Sequence, residues 1–181
     1  MKSPVLIGVS ACLLGEQARY DGGHKHDRNI TDTLGEYFSF VPICPEVGCG
    51  LAVPRETMRL EGNPQAPRLM TCRTRIDMTG QMLEYCATKL AELEYMDLGG
   101  FIFKERSPSC GLTPIPLDSG IIEMSAGLFA HELARHFPLM PLAEAEPLND
   151  PRIRNNFIES VFLYRRKFDD QKNDTASLIG Y

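Results

Sequence analysis

Short apolar runs of strand length alternate with segments of helical period along this chain, and that alternation constrains the fold more than any other feature. VLIGVSACLL (5–14), FSFVPIC (38–44) and GGFIFK (99–104) are dense apolar runs too short for helices. RLMTCRTRID (68–77) reads as a further strand, and PLMPL (138–142) as a Pro-bounded edge piece. Between them, GQMLEYCATKLAELEYM (80–96) repeats Met82, Leu83, Cys86, Leu90 and Leu93 on one helical face. SAGLFAHELARHF (125–137) forms a second helix, with Ser125 as N-cap and Leu128, Leu133 and Phe137 turned inward. NDPRIRNNFIESVFLYRRKF (149–168) forms a third, with Ile153, Phe157, Val161 and Phe162 on one face. NITDTLGEYF (29–38) suits a short helix capped by Asn29 or Thr31, while CPEVGCGLAVPRETMRL (44–60) reads as mostly loop. This order predicts an α/β fold: a mostly parallel sheet with helices on both faces. Ligands of such folds sit beyond the carboxyl ends of the strands.

The 181 residues suit one ordinary domain with a real core. No apolar stretch nears the ~20 residues a bilayer span needs, so no membrane partner is expected. The apolar N-terminal run is broken by Gly8 and Ser10 and reads as a first strand rather than a secretion signal, so the expected location is cytoplasmic. The net charge of −5 excludes a polycation built to coat nucleic acid. The charge is uneven, because residues 151–181 hold six Lys/Arg against four Asp/Glu. Neither GxxxxGK[ST] nor GxGxxG occurs, which argues against nucleoside triphosphates and dinucleotides as ligands.

Six cysteines in a cytosolic chain point to metal or catalysis rather than disulfides. Three of them follow candidate strands: Cys12 after VLIGVSA, Cys44 after FSFVPI, and Cys110 after GGFIF and a short turn. In parallel neighbouring strands these thiols converge on one rim. Three thiolates without a fourth suit a metal centre with an open position, whereas structural zinc and most iron–sulfur clusters take four ligands. Cys86 and Cys72 fit buried small hydrophobes, and Cys49 is a spare thiol near Cys44. Glu46, two residues past Cys44, could act as a general base on water, or simply cap a helix or bind a cation. Ser107 and Ser109 flank Pro108 beside Cys110 and could orient a substrate, or serve as turn residues. The stretch RYDGGHK, with Arg19, Asp21, Gly22, Gly23, His24 and Lys25, could close over an anionic or heterocyclic ligand.

VSACLLG (9–15), RYDGGHK (19–25), VPICPEVGCGLAVPR (41–55) and SPSCG (107–111), in that order, resemble the thiouracil desulfidase family. The resemblance covers about residues 4–140 and implies a [4Fe–4S] cluster held by Cys12, Cys44 and Cys110. It implies non-redox desulfuration of a thiolated pyrimidine, with Glu46 activating the water. It also implies a role for a serine of the SPSC motif, leaving Ser107 and Ser109 both open. Cys49 departs from the family pattern, which commonly has Gly there. The tail from LNDPRIRNN to SLIGY resembles the segment that leads, in longer relatives, to a domain thought to bind RNA. There the substrate is 4-thiouridine in tRNA.

The expected organisation is a catalytic domain over 1–148, a helix over 149–170, and a linker over 171–181 opening toward an RNA-binding domain. The leading expectation is desulfuration of 4-thiouridine in tRNA. One alternative is the same chemistry on free thiouracil or another small thioamide. Another class of reading is a non-enzymatic iron–sulfur or zinc module for redox sensing or sulfur delivery.

Overall fold

A computed structural model of the protein describes residues 4–117 and 124–179. The chain opens with strand β1 (Val5–Ser10) and a tight helical turn, Ala11–Leu14. After a loop and two more short turns, Asn29–Thr33 and Leu34–Glu36, come strand β2 (Phe38–Ile43) and the one-turn helix α1 (Pro45–Gly48). A hairpin of β3 (Met58–Asn63) and β4 (Ala66–Thr71) precedes helix α2 (Thr79–Tyr95). Then follow β5 (Gly100–Phe103), the small pair β6 (Ile115–Pro116) and β7 (Met124–Ser125), and helix α3 (Leu128–His136). Strand β8 (Leu142–Glu144), a turn at Glu146–Asn149 and helix α4 (Pro151–Ile179) complete it.

The main sheet has the order β2-β1-β5-β8 and is parallel throughout. Its register aligns Ser10 with Ile43, and Val9 with both Pro42 and Ile102. The carboxyl ends of β1 and β2 therefore finish level. Pro42 cannot donate to a ladder, and it sits in β2 at the sheet edge, where that donor is dispensable. One face buries Phe101 and Phe103 against Met82, Leu90 and Leu93 of α2 and Phe129 and Leu133 of α3. The other buries Ile7, Val9 and Ile102 against Phe157 and Val161 of α4. Each such side chain removed from water contributes about 1.5–3 kcal/mol, which fixes the sheet between its two helical layers. The expected α/β architecture, with helices on both faces, is the observed one. No described helix is long and apolar enough to cross a membrane.

Several local expectations are corrected. RLMTCRTRID is not a strand of the parallel sheet: Ala66–Thr71 pairs antiparallel with Met58–Asn63, from a segment expected to be loop. Cys72 falls just past that strand and is only partly buried. The N-cap of α3 is Gly127, not Ser125, because backbone carbonyls of the preceding loop already occupy the helix's free donors. Leu83 of α2 and Ile153 and Phe162 of α4 are exposed, since each sits at the margin of its apolar stripe. Asp27, not Asn29 or Thr31, receives the first free N–H of the turn at Asn29–Thr33, at 2.9 Å. The helix α4 also continues through QKNDTAS, where a linker is expected. The last two residues of SLIGY lie outside the described residues.

Candidate active site

Three strand ends build the site. β1 stops at Ser10, and Cys12 sits in the helical turn that follows, which Gly15 closes with φ +93°. The loop beyond folds back, so that Lys25 N–H donates to Cys12 O at 2.8 Å. β2 delivers Cys44 as the N-cap residue of α1, with Pro45 at the first helical position and Glu46 next. α1 lies directly on Tyr85 of α2; a Cβ on Gly48 would come 2.4 Å from the tyrosine ring, so only glycine permits this approach. β5 leads into a turn where Arg106 adopts φ +56°, and the chain doubles back through Ser107–Cys110.

The SPSC turn is held by its own side chains and by α3. Ser107 Oγ accepts N–H bonds from Ser109 (3.2 Å) and Cys110 (3.0 Å). The first N–H groups of α3 have no side-chain cap. Leu128 donates to Pro108 O at 3.1 Å, and Phe129 and Ala130 donate to Ser109 O at 3.0 and 3.2 Å. Gly127 is needed there, because a Cβ would lie 2.6 Å from the Ser109 carbonyl carbon.

The result is a cavity of about 380 Å³ whose wall includes Cys12, Cys44 and Cys110, together with Glu46 and Ser107. All three thiols are free. Burial, and then the neighbouring Cys44, pushes Cys12 up to about 11. Burial also pushes Cys110 well up, with Cys44 again adding to it. Burial raises Cys44 as well. These are sulfurs close enough to feel one another and shielded from water. Soft, clustered thiols of this kind exchange their protons for a thiophilic metal. Among the described residues, no three His, Cys, Asp or Glu groups close around a single metal ion. Structural zinc takes four ligands, whereas three thiols in one cavity wall suit a cluster that keeps one position open.

Glu46 is fixed from two sides. Arg55 Nη2 and Nε lie 2.6 and 2.7 Å from its Oε2, and Ser109 Oγ donates to its Oε1 at 2.9 Å. The Arg55 fork also donates to the Ala18 carbonyl at 2.8 Å, tying the Cys12 loop to the Cys44 helix. Ser109 is fully buried and stands behind the cavity, whereas Ser107 faces it. Of the RYDGGHK stretch, Arg19, Tyr20 and Lys25 reach the cavity wall. Asp21, Gly22, Gly23 and His24 do not line it: Asp21 accepts Gly23 N–H at 3.0 Å in an outward turn, and His24 takes His26 N–H at 3.2 Å. Cys49 is also off the wall, its thiol donating to Glu46 O at 3.2 Å.

Sequence reasoning missed Arg55, Lys104 and Arg106 as site residues. Arg55 ends the VPICPEVGCGLAVPR motif, and that was its one signal. Nothing in the sequence pairs it with Glu46. With Arg19 and Lys25, these make five cations in the wall against two carboxylates, Glu46 and Glu105.

Known proteins resemble this chain in sequence and in fold. The sequence model of the 2-thiouracil desulfurase family matches residues 7–145. The uncharacterized protein YbbK of Bacillus subtilis is 32% identical over 111 residues, which cover 59% of this chain and 73% of YbbK. The solved structure of the [4Fe-4S]-dependent thiouracil desulfidase TudS superposes with a TM-score of 0.66 at 28% identity, covering 86% of this chain and 97% of that one. With the family pattern running from within β1 through β8 and covering every strand end that builds the cavity, the chain belongs to the 2-thiouracil desulfurase family.

Proposed function

We propose that this protein is a [4Fe–4S]-dependent, non-redox desulfidase that converts a thiolated uracil, 4-thiouridine in tRNA, to its oxo base with release of sulfide. The observation that carries the reading is the meeting of three free thiols from three strand ends with a carboxylate in one cavity. Cys12, Cys44 and Cys110 would hold the cluster. When bound with three protein ligands, such a cluster supplies an open, thiophilic Lewis-acid position that favours a C=S sulfur. TudS, a structural neighbour, is a [4Fe-4S]-dependent thiouracil desulfidase.

The chain's own residues supply the rest. Water adds to the thiocarbonyl carbon, the C–S bond breaks, and sulfur leaves as hydrogen sulfide; no electrons are needed. Glu46 takes the water proton. Its Oε2 takes both Arg55 nitrogens, while Oε1 keeps a lone pair beyond the bond from Ser109, so the carboxylate can accept at Oε1 while held in place. Ser107 uses its lone pairs on the Ser109 and Cys110 amides, which leaves its O–H free to donate into the cavity. Ser109, by contrast, orients Glu46.

Of the five wall cations, Arg55 and Lys104 are paired with Glu46 and Glu105, and Arg19 and Arg106 meet Asp21 and Glu146 at 3.4 and 3.8 Å; the small positive surplus that remains supports a substrate carrying phosphate, as RNA does, over a neutral base. The cavity volume also admits a free pyrimidine, which supports thiouracil as a second substrate. Six unpaired cysteines suit the reducing cytoplasm.

The test is anaerobic reconstitution with iron and sulfide. Assays then follow loss of thiocarbonyl absorbance and release of sulfide from 4-thiouridine-containing tRNA and from free thiouracil. Turnover of tRNA in preference to the base is expected, and the reverse order would assign the free base instead. A Glu46→Gln variant should keep its iron and lose turnover. Retained turnover in a Cys12→Ala, Cys44→Ala, Cys110→Ala variant would refute the proposal.

A further inference from the structure

Glu144 belongs to no motif in the sequence and to no wall of the cavity. It ends β8, is buried, and pairs in register with Phe103, the last residue of β5. Among the described residues, no cation pairs with its carboxylate. Instead Oε1 accepts the N–H groups of Leu112 and Thr113 at 2.9 and 3.0 Å, and Oε2 accepts the Thr113 hydroxyl at 2.6 Å. These three donors come from the two residues that begin just past Cys110 and Gly111. A buried carboxylate is costly unless its lone pairs are filled, and here one short piece of chain fills them.

The bonds complete a two-sided grip on the turn that carries Cys110. Ahead of the thiol, the α3 N-terminus holds the carbonyls of Pro108 and Ser109, and directly after it Gly127 N–H holds Gly111 O at 2.8 Å. Behind it, the chain runs toward β6 with Glu144 as the charged anchor between the two. Without that anchor, residues 112 and 113 would have to find water for two backbone donors, and the turn could swing outward on its β6 side.

We infer that Glu144 is a positioning residue for Cys110: from the neighbouring strand, it fixes where the segment after this thiol leaves the site. The cluster role of Cys110 rests on the function proposed above, but the grip itself does not. A carboxylate is suited to the task because it takes three donors at once from an acceptor-only group. Glutamine can serve nearly as well, since its carbonyl oxygen can take both amides while its amide donates to a turned Thr113 hydroxyl. Alanine cannot.

The test reads the thiol directly. The full-length, cluster-free chain is treated anaerobically with N-ethylmaleimide under native conditions, and labelling at each cysteine is followed by mass spectrometry. Cys110 and Cys86 are both buried in the wild type, and Cys86 lies on α2, away from Glu144, so it reports global opening. In Glu144→Ala, Cys110 should label roughly tenfold faster or more, since hydrogen bonds to a charged acceptor are lost, with Cys86 unchanged. Glu144→Gln should restore slow labelling, and Thr113→Val, which removes one of the three bonds from the other side, should fall between. Iron bound per chain after reconstitution should drop in the same order. If Cys86 rises together with Cys110 across these variants, or if Cys110 stays as slow as in the wild type, Glu144 does not position it. Absence of desulfidase turnover would bear on the proposed function and not on this result.

Discussion

Removing the Arg55 guanidinium should destabilise the protein chiefly through the charge it leaves behind. Arg55 and Glu46 form an ion pair whose side chains are only 7% and 14% exposed. Breaking a buried pair from one side costs about 3–5 kcal/mol, because the remaining charge is uncompensated. Glu46 keeps the Ser109 hydroxyl and some solvent contact, so the low end, about 3 kcal/mol, applies to Arg55→Ala. In a chain of this size each kcal/mol shifts the melting temperature by about 2–4 °C, which gives a fall of about 6–12 °C. Circular-dichroism melting of the cluster-free protein measures it. Arg55 also holds the Ala18 and Ala52 carbonyls, so a double-mutant cycle is needed to isolate the pair. Arg55→Ala combined with Glu46→Gln should lose less than the sum of the two, with a coupling of about 1–3 kcal/mol. Arg55→Lys keeps the charge but not the fork, and should fall between wild type and alanine. Strict additivity, or a melting point within about 2 °C of wild type for Arg55→Ala, would refute the reasoning that this pair is buried and mutually dependent.

The two serines should separate kinetically. Ser109→Ala removes a hydrogen bond to a carboxylate and should lower kcat roughly tenfold to a hundredfold with KM little changed, while Ser107→Ala, which takes a donor from the cavity, should raise KM; steady-state rates on reconstituted enzyme would reveal a reversed pattern. Gly127→Ala would drive a methyl group to 2.7 Å from Ser109 O and should cost about 1–3 kcal/mol, read as a lower urea midpoint, with reduced iron binding because the SPSC turn must shift. On the hairpin, Arg75 and then Arg59 hydrogen-bond Glu61 and hold its carboxyl at about 2, below its ordinary 4.5. That stabilisation is complete above about pH 4.5 and fades as pH falls through about 2, so wild type should lose urea stability more steeply than Glu61→Gln over this window; parallel curves would contradict it.

The sequence alone determined the layers and the thiols. Strand-length runs between helical periods required a sheet covered on both sides, since neither element can bury its apolar face alone. Because ligands of parallel sheets lie past the strand carboxyl ends, Cys12, Cys44 and Cys110 could be assigned to one rim from their positions after three runs. The β3–β4 hairpin was not legible: VPRETMRL carries Pro and charge like a loop, and its strand is defined only by pairing with Ala66–Thr71. Nor was the division between Ser107 and Ser109, which are two residues apart in one motif. Only the folded turn sends one hydroxyl to the cavity and the other to Glu46. Arg55 and Glu144 act across gaps of nine and about thirty residues, through hydrogen bonds that exist once separate elements are packed together. Local periodicity records which face of an element is buried, and so it foretold the frame. The partner of a buried polar atom is set by where distant backbone passes, and that only the tertiary structure decided.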